Sequence, residues 1–377
     1  MGMNISIDTR TIQPGDWFIP VKGEHFDGRD FIPDAIQKGA KILDVDLQQY
    51  AKSYRKKLTC HVIGVTGSAG KTTMKDMLYA ILSGRYQVVK TEENQNNQFG
   101  VPLTILKADA TTDILIVEMG MRGIKEIDAL ARIARPSHVL ITTIGTTHIE
   151  CLGSHAAIAK AKTEAFLKPL PWETTPRIAY LNEQSPFAGY QMKRATRAGF
   201  VSKWFGGQEK PEQNINAAYL IGRDFGLSDA DIRAGFERYT PSSHRMIRHH
   251  WGPIVVLDDT YNANPDGMLY ALQQLKRTPG RHLLVVGDML ELGTHAQDAH
   301  QDVVPWAIDA SVSVMFGLGP HWGRINPQGI PYEHFQTHNP LIQRVLSEVK
   351  PGDVVLVKGS RSMKMETVVD ALRQHLT

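Results

Sequence analysis

One lysine and one threonine behind a pair of glycines pose the first chemical question. In His61-Val-Ile-Gly-Val-Thr-Gly-Ser-Ala-Gly-Lys-Thr-Thr73 an apolar run enters a glycine-rich turn and then a helical pattern, with Met74, Met77, Leu78, Ile81 and Leu82 on one face. Such a turn can cradle a triphosphate. Backbone N–H groups converge on its oxygens, the helix N-terminus adds partial positive charge, a lysine reaches the β and γ oxygens, and a hydroxyl holds Mg²⁺. Gly67 and Gly70 permit the turn, Lys71 is the cation, Thr72 is the hydroxyl, and Ser68, Ala69 and Thr73 complete the loop. The general P-loop spacing would need glycine at 65, where Val65 stands, so this is the shorter Thr-Gly-x-x-Gly-Lys-Thr-Thr form. ATP binding is the expectation, ahead of a chance glycine turn before a surface lysine.

Further residues that could act on a bound nucleotide lie where apolar runs end. Glu118 closes Asp113-Ile-Leu-Ile-Val-Glu118, and His148 closes Val139-Leu-Ile-Thr-Thr-Ile-Gly-Thr-Thr-His148. Ligands of open α/β sheets gather at the carboxyl ends of strands. Glu118 reads either as a Mg²⁺ ligand or as a buried acid satisfied by backbone. His148 alone reads as structural. Asn94, Asn96 and Asn97 read as an ordinary loop unless they face the nucleotide, and Lys160 and Lys162, on a helical stretch at 156–166, are solvent-facing by default.

The elements that must position these residues follow an alternation of apolar strands and helices. The fold class is α/β in three domains: a small N-terminal α/β unit at 1–57, a central P-loop ATPase domain at 58–243 and a C-terminal Rossmann-like domain at 244–377. In the first, 5–8 and 17–21 read as strands, 31–39 as a helix and 50–57 as a basic helical connector with a solvated face. In the second, strands are expected near 87–90, 177–181 and 199–204, and helices at 214–225 and 228–239, the latter capped by Ser228. In the third, 253–259, 281–288, 311–317 and 353–359 are apolar runs ending in Asp or Gly.

Composition bounds the rest. A chain of 377 residues with 42% hydrophobic and 21% charged residues suits a soluble globular protein of several cores. Its net charge of +3 is too small to argue for nucleic acid or a membrane surface. No long apolar run and no signal-like N-terminus is visible, so a cytoplasmic location without membrane insertion is expected. Two cysteines, Cys60 and Cys151, give no disulfide framework and are expected to be buried thiols, and the 15 histidines lack zinc-site spacing.

Taken together, several segments resemble the Mur ligase family over nearly the whole chain. They are Asp8-Thr-Arg10, Pro14-Gly-Asp16, Phe26-Asp-Gly28, Thr66–Thr73, Asn96-Asn97 with Gly100-Val-Pro-Leu103, Glu118-Met-Gly120, His148-Ile-Glu150, Ala161-Lys-Thr-Glu164, Asp258-Asp-Thr-Tyr-Asn-Ala-Asn-Pro265, Gly287-Asp-Met-Leu-Glu-Leu-Gly293 and Lys358-Gly-Ser-Arg361. The resemblance implies an ATP-dependent amide ligase acting through an acyl phosphate. It implies addition of D-Ala-D-Ala to a UDP-N-acetylmuramoyl-tripeptide, by a monomer. Lys71 and Arg245 would stabilise the transferring phosphoryl group. Thr72 and Glu118 would hold one Mg²⁺ and His148 would help at a second. Lys162 takes the position of the family's carbamylated lysine. Asn97, Asp259, Tyr261, Asn262 and Asn264 would contact the nucleotide, Thr9, Arg10, Asp27 and Gly28 the UDP-sugar end, and Lys358, Ser360 and Arg361 the incoming dipeptide. A strand-end turn with solvated charges is the plain alternative for that last group.

The chain also departs from the family pattern. Lys210-Pro211 stand where a His-Asn pair helps hold adenine, His244 replaces a glycine before Arg245, the strands before the helix at 214 are reduced, and a strand after Ala40 is missing. A ligase joining a different amine and carboxylate, and a non-catalytic nucleotide-binding partner, are the alternative readings.

Overall fold

The computed structural model describes residues 4–23, 26–147, 149–171, 173–241 and 243–377, and of Lys210 the backbone only. The chain forms two compact units, one of residues 1–144 with 156–240 and one of 145–155 with 241–377.

The first unit begins with a small parallel sheet, β1 (Ile5–Ser6), β2 (Trp17–Phe18) and β3 (Lys41–Ile42), in that order. The helix Ile32–Gln37 buries Ala35 against Ile12 and Phe18. The strand expected to be missing after Ala40 is therefore present. At two residues, one of them lysine, it leaves no apolar run to read. The basic connector is the end of a helix, Leu47–Arg55, started by Asp46, whose side chain accepts from the Gln49 amide. Its charge is not all solvated. Arg55 is only 6% exposed and donates to the carbonyls of Ala134 (2.8 Å) and Leu58 (2.9 Å), while the Tyr54 hydroxyl donates to that of Ala108 (2.9 Å). These bonds fasten the helix to the layer that follows.

That layer is a six-stranded, all-parallel sheet of β4 (His61–Thr66), β5 (Val88–Lys90), β6 (Ile114–Glu118), β7 (His138–Ile141), β8 (Ile178–Asn182) and β9 (Val201–Phe205). Its order is β5-β6-β4-β7-β8-β9. Strands buried on both faces need continuous apolar runs, which β4, β6 and β7 supply. The helix Lys71–Leu82 lays Met74, Leu78, Ile81 and Leu82 onto the sheet, each worth roughly 1.5–3 kcal/mol of burial. Helices Lys210–Asp224 and Asp229–Arg238 complete that face, and the Ser228 hydroxyl accepts from the Asp231 amide in a reciprocal capping box. Because β4 is flanked by β6 on one side and β7 on the other, the crevice of the sheet opens at its C-terminal end.

The second unit carries β10 (Ile247–Trp251), β11 (Ile254–Asp259), β12 (Arg281–Gly287), β13 (Val312–Leu318), β14 (Tyr332–Phe335) and β15 (Asp353–Lys358), in the order β10-β11-β15-β12-β13-β14. All pairs are parallel except β10–β11. The four apolar runs are the inner strands. The two edges, Ile-Arg-His-His-Trp and Tyr-Glu-His-Phe, are half solvated and carry no such run, which is why the sequence hides them. Of the two cysteines Cys60 is buried, as expected, but Cys151 is exposed.

Candidate active site

At the C-terminal end of β4 the chain turns through Gly67 (φ +150°) and Gly70 (φ +82°), and the helix Lys71–Leu82 starts directly from Gly70. A Cβ on Gly67 would lie 1.9 Å from Thr142 Oγ1, so only glycine fits there. Two threonines after β7 hold the turn. Thr142 Oγ1 donates to the Ala69 carbonyl (2.5 Å), the Ser68 amide donates to the Thr143 carbonyl (2.9 Å), and the Ala69 amide donates to Thr143 Oγ1 (3.1 Å). Lys71 Nζ reaches back to the Gly67 carbonyl at 2.9 Å. Sequence-predicted residues 67–73 thus form one cradle at a helix N-terminus, able to take an anion.

Glu118 ends β6 opposite Val65 in register, one residue short of the loop. It is 1% exposed. Its amide donates to Thr91 Oγ1 (3.0 Å) and its Oε1 accepts from Asn96 Nδ2 (2.8 Å), but Oε2 has no hydrogen-bond partner, the nearest cation being Lys75 Nζ at 4.0 Å. The buried Thr66 hydroxyl is likewise without a hydrogen bond. An unsatisfied carboxylate oxygen costs free energy unless something electropositive meets it. Mg²⁺ is held by one or two carboxylates together with phosphate oxygens, so a single open carboxylate oxygen with the Thr72 hydroxyl suits it. Among the described residues no trio of His, Cys, Asp or Glu could hold a metal without such help. His148 lies outside the described residues.

Lys162, at the end of the helix His155–Lys162, is 2% exposed, not solvent-facing. Burial, and secondarily the charge of Lys71, push its ammonium well below the usual lysine range. Lys160 remains exposed. Asn97, expected at the nucleotide, uses its side-chain oxygen to accept from the amides of Phe99 and Gly100, both at 3.0 Å, where the helix Gly100–Lys107 begins.

The residues expected near the N-terminal substrate end are spread over the small sheet's loops. Arg10 is exposed and pairs with Asp8 (2.6 Å), Thr9 is buried with its carbonyl accepting from Lys38 Nζ (2.8 Å), and Asp27 accepts from the Arg29 amide (3.0 Å). Gly28 is required by contact, since a Cβ there would lie 2.5 Å from the Val21 backbone.

Within the second unit, the carboxyl ends of β11 and β15 bring most of the remaining candidates together. Asp259 and Lys358 are register partners, and Lys358 Nζ, buried, donates to Asp259 Oδ2 (2.5 Å) and to the Asn262 carbonyl (2.8 Å). Arg245 lies over the Tyr261 ring at 3.7 Å and Arg361 at 6.0 Å. Asn264 caps the helix Pro265–Lys276 through the Gly267 amide (2.8 Å) and donates to Thr147 Oγ1 (3.2 Å). Ser360 accepts from the Leu290 amide (2.9 Å). Residue 244 has φ +63°, which explains the family glycine. Here His244 takes that conformation with its Nδ1 bonded to Asp258 Oδ2 at 2.8 Å.

Three family models match in succession: the Mur ligase family catalytic domain over residues 3–93, the Mur ligase middle domain over 65–233 and the Mur ligase glutamate ligase domain over 244–361. The UDP-N-acetylmuramoyl-tripeptide–D-alanyl-D-alanine ligase of Synechocystis sp. is 34% identical over 417 aligned positions, covering 98% of this chain and 91% of that protein. The chain belongs to the Mur ligase family. Among solved structures, MurF from Acinetobacter baumannii superposes with a TM-score of 0.87 at 26% identity, covering 98% of this chain and 93% of that one. The MurF ligase of Thermotoga maritima in complex with ADP shares the fold, with a TM-score of 0.84 at 24% identity.

An alignment of 417 positions against 377 residues means that this Mur ligase lacks segments its relative has. The reduced strands are one place: β9 ends at Phe205 and the helix starts at Lys210. Lys210 and Pro211 open that helix, and Asn214 lies on it beside the phosphate loop, its Oδ1 3.4 Å from where a Gly70 Cβ would stand. Sequence reasoning did not find Lys75, Asn96, Thr91, Thr142 and Thr143 as the supports of Glu118 and the loop. Asn96 belongs to one of the family-like segments, Asn96-Asn97, and was read as loop or nucleotide-facing, not as a partner of Glu118; the threonines gave no signal.

Proposed function

We propose that this Mur ligase adds D-alanyl-D-alanine to a UDP-N-acetylmuramoyl-tripeptide, using ATP. The observation that carries the reading is Glu118: a buried carboxylate with one open oxygen, in register beside a glycine turn that feeds a lysine and a threonine into a helix N-terminus. That arrangement serves Mg–nucleotide binding, and near-full-length similarity to relatives named for the tripeptide–dipeptide reaction supplies the substrate pair. We take the domains as 1–57, 58–243 and 244–377. We place it in the cytoplasm as a monomer; separately, no described helix is long and apolar enough to cross a membrane.

In this mechanism the substrate carboxylate takes the γ-phosphoryl group of ATP. The dipeptide amine then attacks the acyl carbon, phosphate leaves, and the amine proton is lost as the amide forms. Thr72 and Glu118 would hold one Mg²⁺ and His148 would help at a second, and such ions would supply neutralisation of phosphate charge. Lys71 draws the phosphate oxygens toward the loop amides and Arg245 adds a second cation. Lys162, whose ammonium form burial disfavours, would add CO₂ through its amine and release a proton to become a carbamate, a carboxylate-like group where the chain offers few. The Lys358–Asp259 pair fixes the turn that carries Tyr261, Asn262 and Asn264, and Arg361 faces the dipeptide carboxylate.

Tripeptide labelled with ¹⁸O in its terminal carboxylate tests the reading. With ATP and D-Ala-D-Ala present, released phosphate is expected to carry one ¹⁸O per turnover. Unlabelled phosphate would mean that water, not the carboxylate, accepts the phosphoryl group.

A further inference from the structure

At the opposite end of the central sheet from the phosphate loop, a cavity of about 320 Å³ lies among the residues that lead into β4, β7 and β8. Its wall holds Arg55, Lys56, Arg135 and Arg177 against one carboxylate, Glu173. The volume falls at the lower end of the roughly 300–1,000 Å³ typical of small-ligand sites. Six residues of parallel strand separate it from the loop, about 20 Å.

The cavity wall carries more positive charge than its one carboxylate offsets. Glu173 is taken by Arg135, whose Nε and Nη2 donate to its two oxygens at 2.6 Å each. Arg55 donates only to backbone carbonyls, of Ala134, Leu58 and Arg135, which satisfy its hydrogens without neutralising its charge. Arg177 gives one bond, Nη1 to the Ala198 carbonyl at 3.1 Å, and its guanidinium carbon lies 4.1 Å from the centre of the Phe200 ring. Arg55 and Arg177 are 6% and 8% exposed, and the Arg135 side chain 9%. Among the described residues Arg55, Lys56 and Arg177 have no carboxylate at ion-pair distance, and Glu173, already paired with Arg135, attracts Arg55 and Arg177 only at longer range. The two buried guanidiniums, with exposed Lys56 at the rim, therefore leave net positive charge facing a space large enough for an anion. Planar guanidinium groups with donors to spare match phosphate oxygens, and the hydroxyls of Thr59, Ser137, Thr174 and Thr175 line the same wall.

We propose that this cavity is a second anion site, built for a phosphate dianion and separate from the nucleotide cradle. The proposal is independent of the ligase reading. Free orthophosphate and the phosphate of a monoester share the chemistry.

Inorganic phosphate titrated by calorimetry into the full chain at constant ionic strength is the test. Binding is expected to be saturable, to persist in Lys71→Ala, and to weaken roughly tenfold in Arg177→Gln, which removes one charge-assisted donor group. Lys56→Ala, an exposed change that leaves folding intact, is expected to weaken it about threefold. Glycerol 3-phosphate in the same titrations separates the sources: tighter binding than phosphate assigns a monoester, equal or weaker binding assigns free phosphate. Heat no greater than that of chloride, binding lost in Lys71→Ala, or binding unchanged in both Arg177→Gln and Lys56→Ala overturns the proposal.

Discussion

Lys162 is fully buried, and burial, with the charge of Lys71 second, disfavours its ammonium form. A group kept there only for packing would be replaceable by a smaller side chain at modest cost to activity. A metal-binding carbamate would not. Lys162→Ala is expected to cut phosphate release about 100-fold while ADP affinity changes little; near-normal turnover without added bicarbonate would remove the lysine from the mechanism. Glu118→Gln makes a complementary case. The amide keeps the shape and an acceptor for Asn96 but loses the buried charge that faces Lys75 Nζ at 4.0 Å, and Lys75 keeps Asp76 at 3.6 Å, so stability is expected to fall slightly at most while the Mg²⁺ concentration for half-maximal turnover climbs. Loss of stability with unchanged Mg²⁺ dependence would make Glu118 a purely structural acid. Glu118 was legible because it ends an apolar strand. Its partners were not: Asn96 and Thr91 lie 22 and 27 residues away along the chain, and only the pairing of β5, β6 and β4 brings them in.

Elements differ in how plainly their residues announce them. The inner strands and the helix Lys71–Leu82 are written as apolar runs and helical spacing, whereas the half-solvated edges β10 and β14 and the two-residue β3 have no such pattern. Lys162 shows the converse limit, since a helical lysine among alanines reads as solvated until tertiary packing covers it. The phosphate turn is an element with no slack. Gly67→Ala, which meets Thr142 Oγ1 and an unfavourable φ, is expected to abolish the thermal shift by ADP, about 2.7 kcal/mol of stabilisation at a hundredfold its Kd in the parent chain. A retained shift would mean that the nucleotide binds elsewhere. In β7, burial, and then the neighbouring His61, depress His138 from its ordinary value to about 4. The unfolded chain therefore holds the extra proton between about 6.5 and 4. Stability is full above that window and falls as pH drops through it, by about 3 kcal/mol for this residue. His138→Phe is expected to flatten the slope of unfolding free energy against pH there, measured by urea denaturation; an unchanged slope would place the titration elsewhere.

For the whole molecule, the family and its three-part order were legible in motifs spread from Asp8 to Arg361, because glycine turns and strand-end acids keep their spacing when loops shorten. The substrate pair came with that resemblance and not from any single residue pattern, since the segments that differ from the relative are missing ones. The attachment of the first 57 residues through Arg55 and Tyr54 was also hidden, as it uses backbone carbonyls that no sequence pattern marks. The central claim is therefore best tested on the intact chain. Phosphate release from Mg-ATP is followed with UDP-N-acetylmuramoyl-tripeptide and D-Ala-D-Ala supplied singly and together, and the product is weighed by mass spectrometry. Turnover only with both, and a UDP-N-acetylmuramoyl-pentapeptide mass, is the expected result. ATP binding without turnover on this pair, or a product of any other mass, would contradict it.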